Sequence, residues 1–328
     1  MKGKTLMAVN AAILALIVLF SGFTLLDVFV IPHTYGTVET TTAANTPDEP
    51  GTGTPETNEA PHTGSATEQI SGSPEITTSP GQTIRENSDT YYHDDNITVE
   101  IVQYRMYDTD IYVADVRISS LDYLKTAFAY NKFGRNLTAK TSTMAAQNSA
   151  ILAVNGDYYG ARNSGFVVRG GVVYRDSSSG NEALAIFQDG TFGFYNEKTT
   201  SARTLVSQGA RDVFSFGPGI VQGGQVIVSQ TTEVGHAMAS NPRTAIGRYA
   251  DDGFHYVFVV SDGRVRNSSG LTLYQLATFM SSTLGVDAAY NLDGGGSSTM
   301  VFRGNIINNP TTNGRIQERA VSDIVYVG

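Results

Sequence analysis

Apolar side chains fall on every second residue at Ile97, Val99 and Ile101 and again at Ile111 and Val113, the mark of half-buried strands opening a sheet. The chain before them follows other patterns. From Leu6 to Leu26 it carries no charge and only a few weakly polar residues, Asn10, Ser21, Gly22 and Thr24. As a helix rising 1.5 Å per residue this run would be about 31 Å long, the thickness of a bilayer core. Residues 34–90 hold almost no large apolar side chains. Nothing there offsets the entropy of ordering, so the pattern predicts a disordered stalk with an r.m.s. reach of about 40 Å.

Beyond Tyr91 the pattern predicts one globular unit. Ala139–Ala150 has helical composition and leads into the apolar run Ile151–Val154, which stops at Asn155-Gly156-Asp157. Hairpins are signalled by Gly170-Gly171 between Phe166–Arg169 and Val172–Tyr174, by Asp189-Gly190 between Leu184–Phe187 and Phe192–Tyr195, and by Gly223-Gly224. A strand over His255–Val260 ends in Ser261-Asp262-Gly263. Leu273, Leu276, Ala277 and Met280 share one face of an amphipathic helix over Leu271–Leu284. A short strand, Ala288–Leu292, then delivers the chain to Asp293-Gly294-Gly295-Gly296, and a hairpin at Arg303-Gly304-Asn305 and a strand over Ile324–Val327 complete the pattern. The class expected is α+β: a mixed β-sheet core with hairpins and a few helices.

Charge refines this division. Residues 1–33 sum to +1, residues 34–90 to −8 and residues 91–328 to −2, within a net charge of −9. The globular part has no dense Lys/Arg stripe of the kind that neutralises nucleic-acid phosphates, which argues against that class of partner. The absence of cysteine excludes disulfides, thiolate metal sites and a cysteine nucleophile. Lys2 and Lys4 ahead of the apolar run, with no small-x-small cleavage pattern after it, predict an uncleaved signal anchor over 1–33 with its tip in the cytoplasm. The expectation is a single-pass protein of the cell membrane whose domain 91–328 is extracellular. Its stalk, residues 34–90, serves as a spacer or as a glycosylated or partner-binding segment.

Chemistry concentrates at strand ends. In residues 291–300, NLDGGGSSTM, a buried strand runs into Asp293, three glycines and the hydroxyls of Ser297 and Ser298. Backbone without Cβ atoms can approach a ligand and present N–H groups to an oxyanion. No Lys follows the glycines, so this is not a nucleotide P-loop. Asn155, Asp157, Tyr158 and Tyr159 follow another apolar strand, and Asn241-Pro242-Arg243-Thr244 sets a guanidinium, suited to bidentate phosphate contact, at the start of the run Ala245–Tyr249. Each cluster alone has a plainer reading: turns at Gly156 and Gly263, core or rim aromatics at Tyr158 and Tyr159, a surface ion pair at Arg243. His236 is either a general acid/base or a solvated loop histidine. No His/Asp/Glu spacing suits zinc, and no G-x-S-x-G elbow is present.

Taken in order, AVNGDYYG at 153–160, NPRTAIG at 241–247, SDGR at 261–264, GLTLYQLA at 270–277, NLDGGGSSTM at 291–300 and Glu318-Arg319-Ala320-Val321 resemble the phosphodiester glycosidase family over about residues 93–328. The resemblance implies hydrolysis of a sugar C1–O–phosphate bond. It carries over Asn155, Arg243, Asp262, Asp293, Gly294, Gly295, Gly296, Ser297, Ser298 and Arg319. Asp157 transfers less directly, since other members have glycine or alanine there: it is either peripheral or used differently in this subgroup, and with Tyr158 and Tyr159 it is counted among the substrate-binding residues. The anchor and stalk resemble those of bacterial exopolysaccharide-related members, which suggests a phosphorylated sugar or polysaccharide as substrate.

An ordinary glycosidase protonates an alcohol leaving group with one carboxyl and uses a second as nucleophile or base. A phosphomonoester, with a second pKa of about 6, leaves without strong acid catalysis. The expected division of labour has Arg243, the amides of Gly294–Gly296 and Ser297 on the phosphate, with Asp293 or Asp262 activating water or stabilising the sugar carbon. No cofactor is expected; a divalent cation held by Asp262 or Asp293 is the alternative. The rival functions are a non-catalytic module for anionic polysaccharide and a phosphodiesterase that cuts P–O.

Overall fold

Two-residue turns with positive φ join several of the strands that are consecutive in the chain, because their backbone twist matches that of the strands they connect. Gly170 and Gly171 (φ 57° and 80°) turn Val167–Arg169 into Val172–Arg175, and Arg303 and Gly304 (φ 48° and 81°) turn Met300–Phe302 into Asn305–Ile306. Tyr107 and Asp108 (φ 54° and 51°) do the same between the ten-residue strands Ile97–Met106 and Thr109–Ile118 without any glycine. The structure, a computed structural model, describes residues 2–37, 87–232, 234, 240–251 and 253–328. His236 and most of the expected stalk, residues 38–86, lie outside the described residues.

Among the described residues three larger antiparallel sheets build the domain, beside two two-stranded ones. The largest has eight strands in the order Gln225–Val226, Gly219–Gln222, Ala288–Asn291, Arg243–Arg248, Phe254–Ser261, Thr109–Ile118, Ile97–Met106, Tyr91–His93. A five-stranded sheet runs Asn305–Ile306, Met300–Phe302, Leu152–Asn155, Asp323–Val327, Leu124–Phe128, and another runs Phe192–Asn196, Glu182–Phe187, Ala210–Phe214, Val167–Arg169, Val172–Arg175. The α+β class therefore holds, with every described strand pair antiparallel. One core joins all three sheets: Val116, Phe258 and Tyr290 from the first, Val154, Phe302 and Val325 from the second, Leu184 and Phe214 from the third.

The strand Phe254–Ser261 shows why an unbroken apolar run belongs here. Tyr256, Phe258 and Val260 face the shared core, while Val257 and Val259 face the helix on the other side of the sheet. That helix presents Leu273, Leu276, Ala277 and Met280, as its spacing predicts. It starts in a capping box between Thr272 and Gln275, runs as α-helix over Leu273–Thr278, loosens into π-helical turns over Phe279–Leu284 and ends at Gly285 (φ 72°). The helix expected over Ala139–Ala150 is shorter, Thr141–Gln147.

At the amino-terminal side a helix covers Lys2–Phe29, and its side chains are described from Ile13 to Asp27. Leu16, Leu19 and Phe20 are exposed there. Among the described residues no helix is long and apolar enough to cross a membrane. Residues 34–37, reckoned with the stalk from sequence, belong to a strand, His33–Thr37, that pairs with Lys132–Arg135 of the domain.

Candidate active site

The ends of strands from two sheets meet at Asn155. Its amide nitrogen donates to the backbone carbonyl of Asp293 at 2.6 Å, and its oxygen accepts from Thr244 Oγ1 at 2.8 Å and from the Thr299 amide at 3.3 Å. The Asp293 amide in turn donates to the Gly156 carbonyl at 3.2 Å. Asn155, wholly buried, is thus a clamp that joins three distant segments. Its side-chain groups are spent on the protein.

Asp293 projects from this junction. Ser297 Oγ donates to its Oδ2 at 2.5 Å and Arg319 Nη2 at 2.8 Å, and Arg319 also donates to Ser297 Oγ through Nε at 3.0 Å. Both donors to the carboxylate converge on Oδ2; Oδ1 accepts no hydrogen bond from the described residues. Burial raises the Asp293 pKa, against the pull of the Arg319 charge, the Ser297 hydrogen bond and the more distant Arg162. Tyr158, in a left-handed conformation (φ 65°), has two guanidinium groups near its ring, Arg162 Cζ and Arg319 Cζ, each 5.7 Å from the ring centroid. A bulky side chain in that backbone region is held there by its surroundings.

The glycine loop is seated on the Arg243 segment. Gly295 donates its amide to the Pro242 carbonyl at 2.8 Å, so that N–H is used within the protein. With φ at 61° it also lies close under Arg264, whose guanidinium a Cβ would approach to 3.1 Å. Arg264 is fixed in place by two hydrogen bonds to Asn241 Oδ1, at 2.9 and 2.7 Å. Arg243 sits deeper, 4% exposed, with Nε donating to the Leu271 carbonyl at 2.9 Å. Burial, and then the charge of Arg264, push its pKa down to about 10. Ser298 is buried, its Oγ 3.2 Å from Thr244 Oγ1.

Asp262 and Asp157 are placed differently from Asp293. Asp262 accepts from Asn308 Nδ2 at 3.2 Å and from the Asn309 amide at 2.8 Å through Oδ1, and from Asn309 Nδ2 at 2.9 Å through Oδ2. Asn308 also donates to the Ser298 carbonyl at 3.0 Å, so this cluster braces the glycine-serine loop from behind. Asp157, counted from sequence among substrate-binding residues, is wholly buried: Oδ2 accepts from the Ser215 amide at 2.9 Å and lies 3.3 Å from Arg169 Nη2, which also binds Asp323 Oδ2 at 2.8 Å. Its carboxylate is part of the floor, not of the pocket surface. Tyr159 departs likewise, packing into the core against Phe128 and Phe133 at ring distances of 5.0 and 5.3 Å. Both side chains are buried, Asp157 in an ionic cluster and Tyr159 among aromatic rings. Gly156 is glycine because a Cβ there would run into the Asp323 carboxylate.

The Asp323 carboxyl beside this buried guanidinium titrates unlike a free one. Burial, then the charge of Asp157, raise the Asp323 pKa to about 7, with Arg169 opposing. The native state then holds a proton that the unfolded chain releases near pH 4, so this stabilisation is full below about pH 4 and is lost as pH rises through about 7. The urea midpoint should fall across that interval. In Asp323→Asn the slope should flatten; an unchanged slope would assign the pH dependence to other groups.

Among the described residues no three His, Asp or Glu side chains form a group able to hold a metal ion. Arg162, Arg169, Asn308, Asn309 and Asp323 were not singled out from sequence. Each acts through partners tens of residues or more away in the chain, which no local motif announces.

The strand-end junction thus brings one carboxylate, a serine and guanidinium groups together beside a glycine loop. The profile of the phosphodiester glycosidase family matches residues 148–328, and the chain belongs to that family. An SPbeta prophage-derived uncharacterized protein, YomE, of Bacillus subtilis (strain 168) is 34% identical over 203 residues, which are 60% of this chain and 30% of that protein. The chain therefore spans less than a third of the length of this curated relative. Among solved structures, the catalytic domain of zebrafish N-acetylglucosamine-1-phosphodiester alpha-N-acetylglucosaminidase, auto-inhibited by its pro-peptide, superposes with a TM-score of 0.55 at 20% identity, covering 74% of this chain and 85% of that one. A hypothetical protein from Synechocystis superposes with a TM-score of 0.56 at 14% identity over 71% and 62% of the two chains. At these identities the two structures show a shared fold.

Proposed function

We propose that this chain hydrolyses the C1–O–phosphate bond of a glycosyl phosphodiester, on a cell-surface or exopolysaccharide glycan. The observation that carries the reading is the Asp293 carboxylate, held through Oδ2 by Ser297 and Arg319 with Oδ1 left for a water molecule. In this reading Asp293 takes the proton of that water as it attacks C1, while Arg319 and the amides of Gly294 and Gly296 stabilise the departing phosphate. Arg243 supplies a fixed positive charge beneath the loop. Asp262, committed to Asn308 and Asn309, positions the loop rather than exchanging protons. Family membership and the zebrafish enzyme's named substrate support a sugar phosphodiester of the N-acetylglucosamine type as the first compound to try.

The reading includes an extracytoplasmic domain held at the cell membrane, supported by the uncharged run Leu6–Leu26 behind Lys2 and Lys4. It includes no cofactor: kcat should survive EDTA, and a stoichiometric divalent ion found by elemental analysis would refute that part. The central test is incubation with an α-N-acetylglucosamine 1-(methyl phosphate) diester in ¹⁸O-labelled water. Free sugar carrying the label is the expected product. Label in the phosphate would identify P–O cleavage, and binding without release of sugar would identify a polysaccharide-binding module.

A further inference from the structure

Among the described residues, two of the clefts on the domain are similar in size. One, of about 380 Å³, is lined by Leu121, Asp122, Arg211 and Phe254 and shares no residue with the site around Asp293. The other, of about 360 Å³, is lined by Arg162, Asn181, Glu182, Phe216 and Thr232. Arg162 connects it to the site. Its guanidinium lies 4.9 Å from the centroid of Phe216 within the cleft and 5.7 Å from that of Tyr158, the ring whose other neighbour is Arg319, itself bound to Asp293.

The cleft carries both signs of charge. Arg162 lines it and shares the Tyr158 ring with Arg319; Glu182 lines it too, fixed through Oε2 by the Gly219 amide at 2.7 Å, with the exposed amide of Asn181 beside it. A phosphate placed against Glu182 would be repelled. Hydroxyl groups placed there would donate to the carboxylate oxygen that Gly219 leaves unused. The volume lies at the small end of the roughly 300–1,000 Å³ spanned by ligand pockets, the size for a single sugar ring rather than a polymer segment.

We propose that the cleft between Arg162 and Glu182 is the sugar subsite, with Glu182 and Asn181 binding ring hydroxyls while Arg162 and Arg319 hold the anomeric phosphate beside Asp293. This deepens the hydrolase reading and rests on it. The subsite makes Glu182 a specificity residue: it sets which hydroxyl pattern is accepted and takes no part in bond breaking.

The test is calorimetric titration of the full chain with inorganic phosphate and with α-N-acetylglucosamine 1-phosphate, repeated on four variants. Arg162→Ala should weaken both ligands by about tenfold or more, as loss of a charged hydrogen bond does. Glu182→Gln and Asn181→Ala should weaken only the sugar phosphate, and Arg211→Ala, in the other cleft, should change neither. Wild-type affinity for the sugar phosphate in both Glu182→Gln and Asn181→Ala would overturn the assignment, with melting curves showing that the variants fold. A kinetic arm separates the two ends of the substrate. With a methyl phosphodiester, Glu182→Gln should raise KM and spare kcat; a KM effect seen only with a large leaving group would place the leaving group in the cleft and end the proposal. Expected binding by a wild-type chain that releases no sugar would leave the subsite standing and remove the hydrolase reading instead.

Discussion

Asp293→Asn should lower kcat on a sugar phosphodiester by roughly 10³-fold, within the range that general base catalysis contributes. Asparagine keeps the shape and can still accept from Ser297 and Arg319, so the melting temperature should move little. The lost property is the ability to take a proton from water, and KM should therefore stay near its wild-type value. Burial raises the pKa of this carboxyl, so the acid limb of the wild-type kcat profile should lie above the ordinary carboxylate value of about 4. Turnover within threefold of wild type in the asparagine variant would remove Asp293 from the chemistry.

The largest loss of stability is expected away from the pocket, at Arg169. Its guanidinium is buried between Asp157 and Asp323, donates to the carbonyls of Val168 and Val213 at 2.9 and 2.6 Å, and stacks 4.1 Å from the centroid of Phe214. Arg169→Met preserves much of the volume but leaves two buried carboxylates facing each other. Breaking such a buried pair costs about 3–5 kcal/mol, a large share of the roughly 5–15 kcal/mol that holds a domain together. The cost should be greater at pH 8 than at pH 5, where Asp323 can hold a proton. Adding Asp323→Asn to the methionine variant should recover part of the loss at pH 8. Equal unfolding midpoints for wild type and Arg169→Met would show that the trio contributes nothing to folding.

Much of the scaffold was legible because its signals are local. The Gly170-Gly171 turn, the spacing of Leu273, Leu276, Ala277 and Met280 on one helix face, and the buried run through Val257–Val260 each declare themselves within a few residues. The turn at Tyr107-Asp108 does not, because two ordinary residues adopt positive φ there with no glycine to mark it. The convergence of Asn155, Arg243 and Asp293 was legible as three polar clusters at the ends of apolar strands. Which side chains reach the pocket was not. Tyr158 and Tyr159 are neighbours of the same type, yet the left-handed backbone at Tyr158 turns one ring toward arginines and the other into the core. Asp157 and Asp293 both follow buried strands, and only tertiary packing commits the first to Arg169 and Ser215 and leaves the second an unbonded oxygen.

The strand Asp323–Val327 lies between Leu152–Asn155 and Leu124–Phe128, inside its sheet rather than at an edge. It also brings the carboxylate that Arg169 requires. During synthesis every other described strand leaves the ribosome first, so a nascent chain lacking these five residues has a slot in the middle of a sheet and a guanidinium short of a partner. Folding of the whole unit is thereby deferred until translation has passed residue 327, and a chain ending just short of Asp323 should be recovered as protease-sensitive, inactive material.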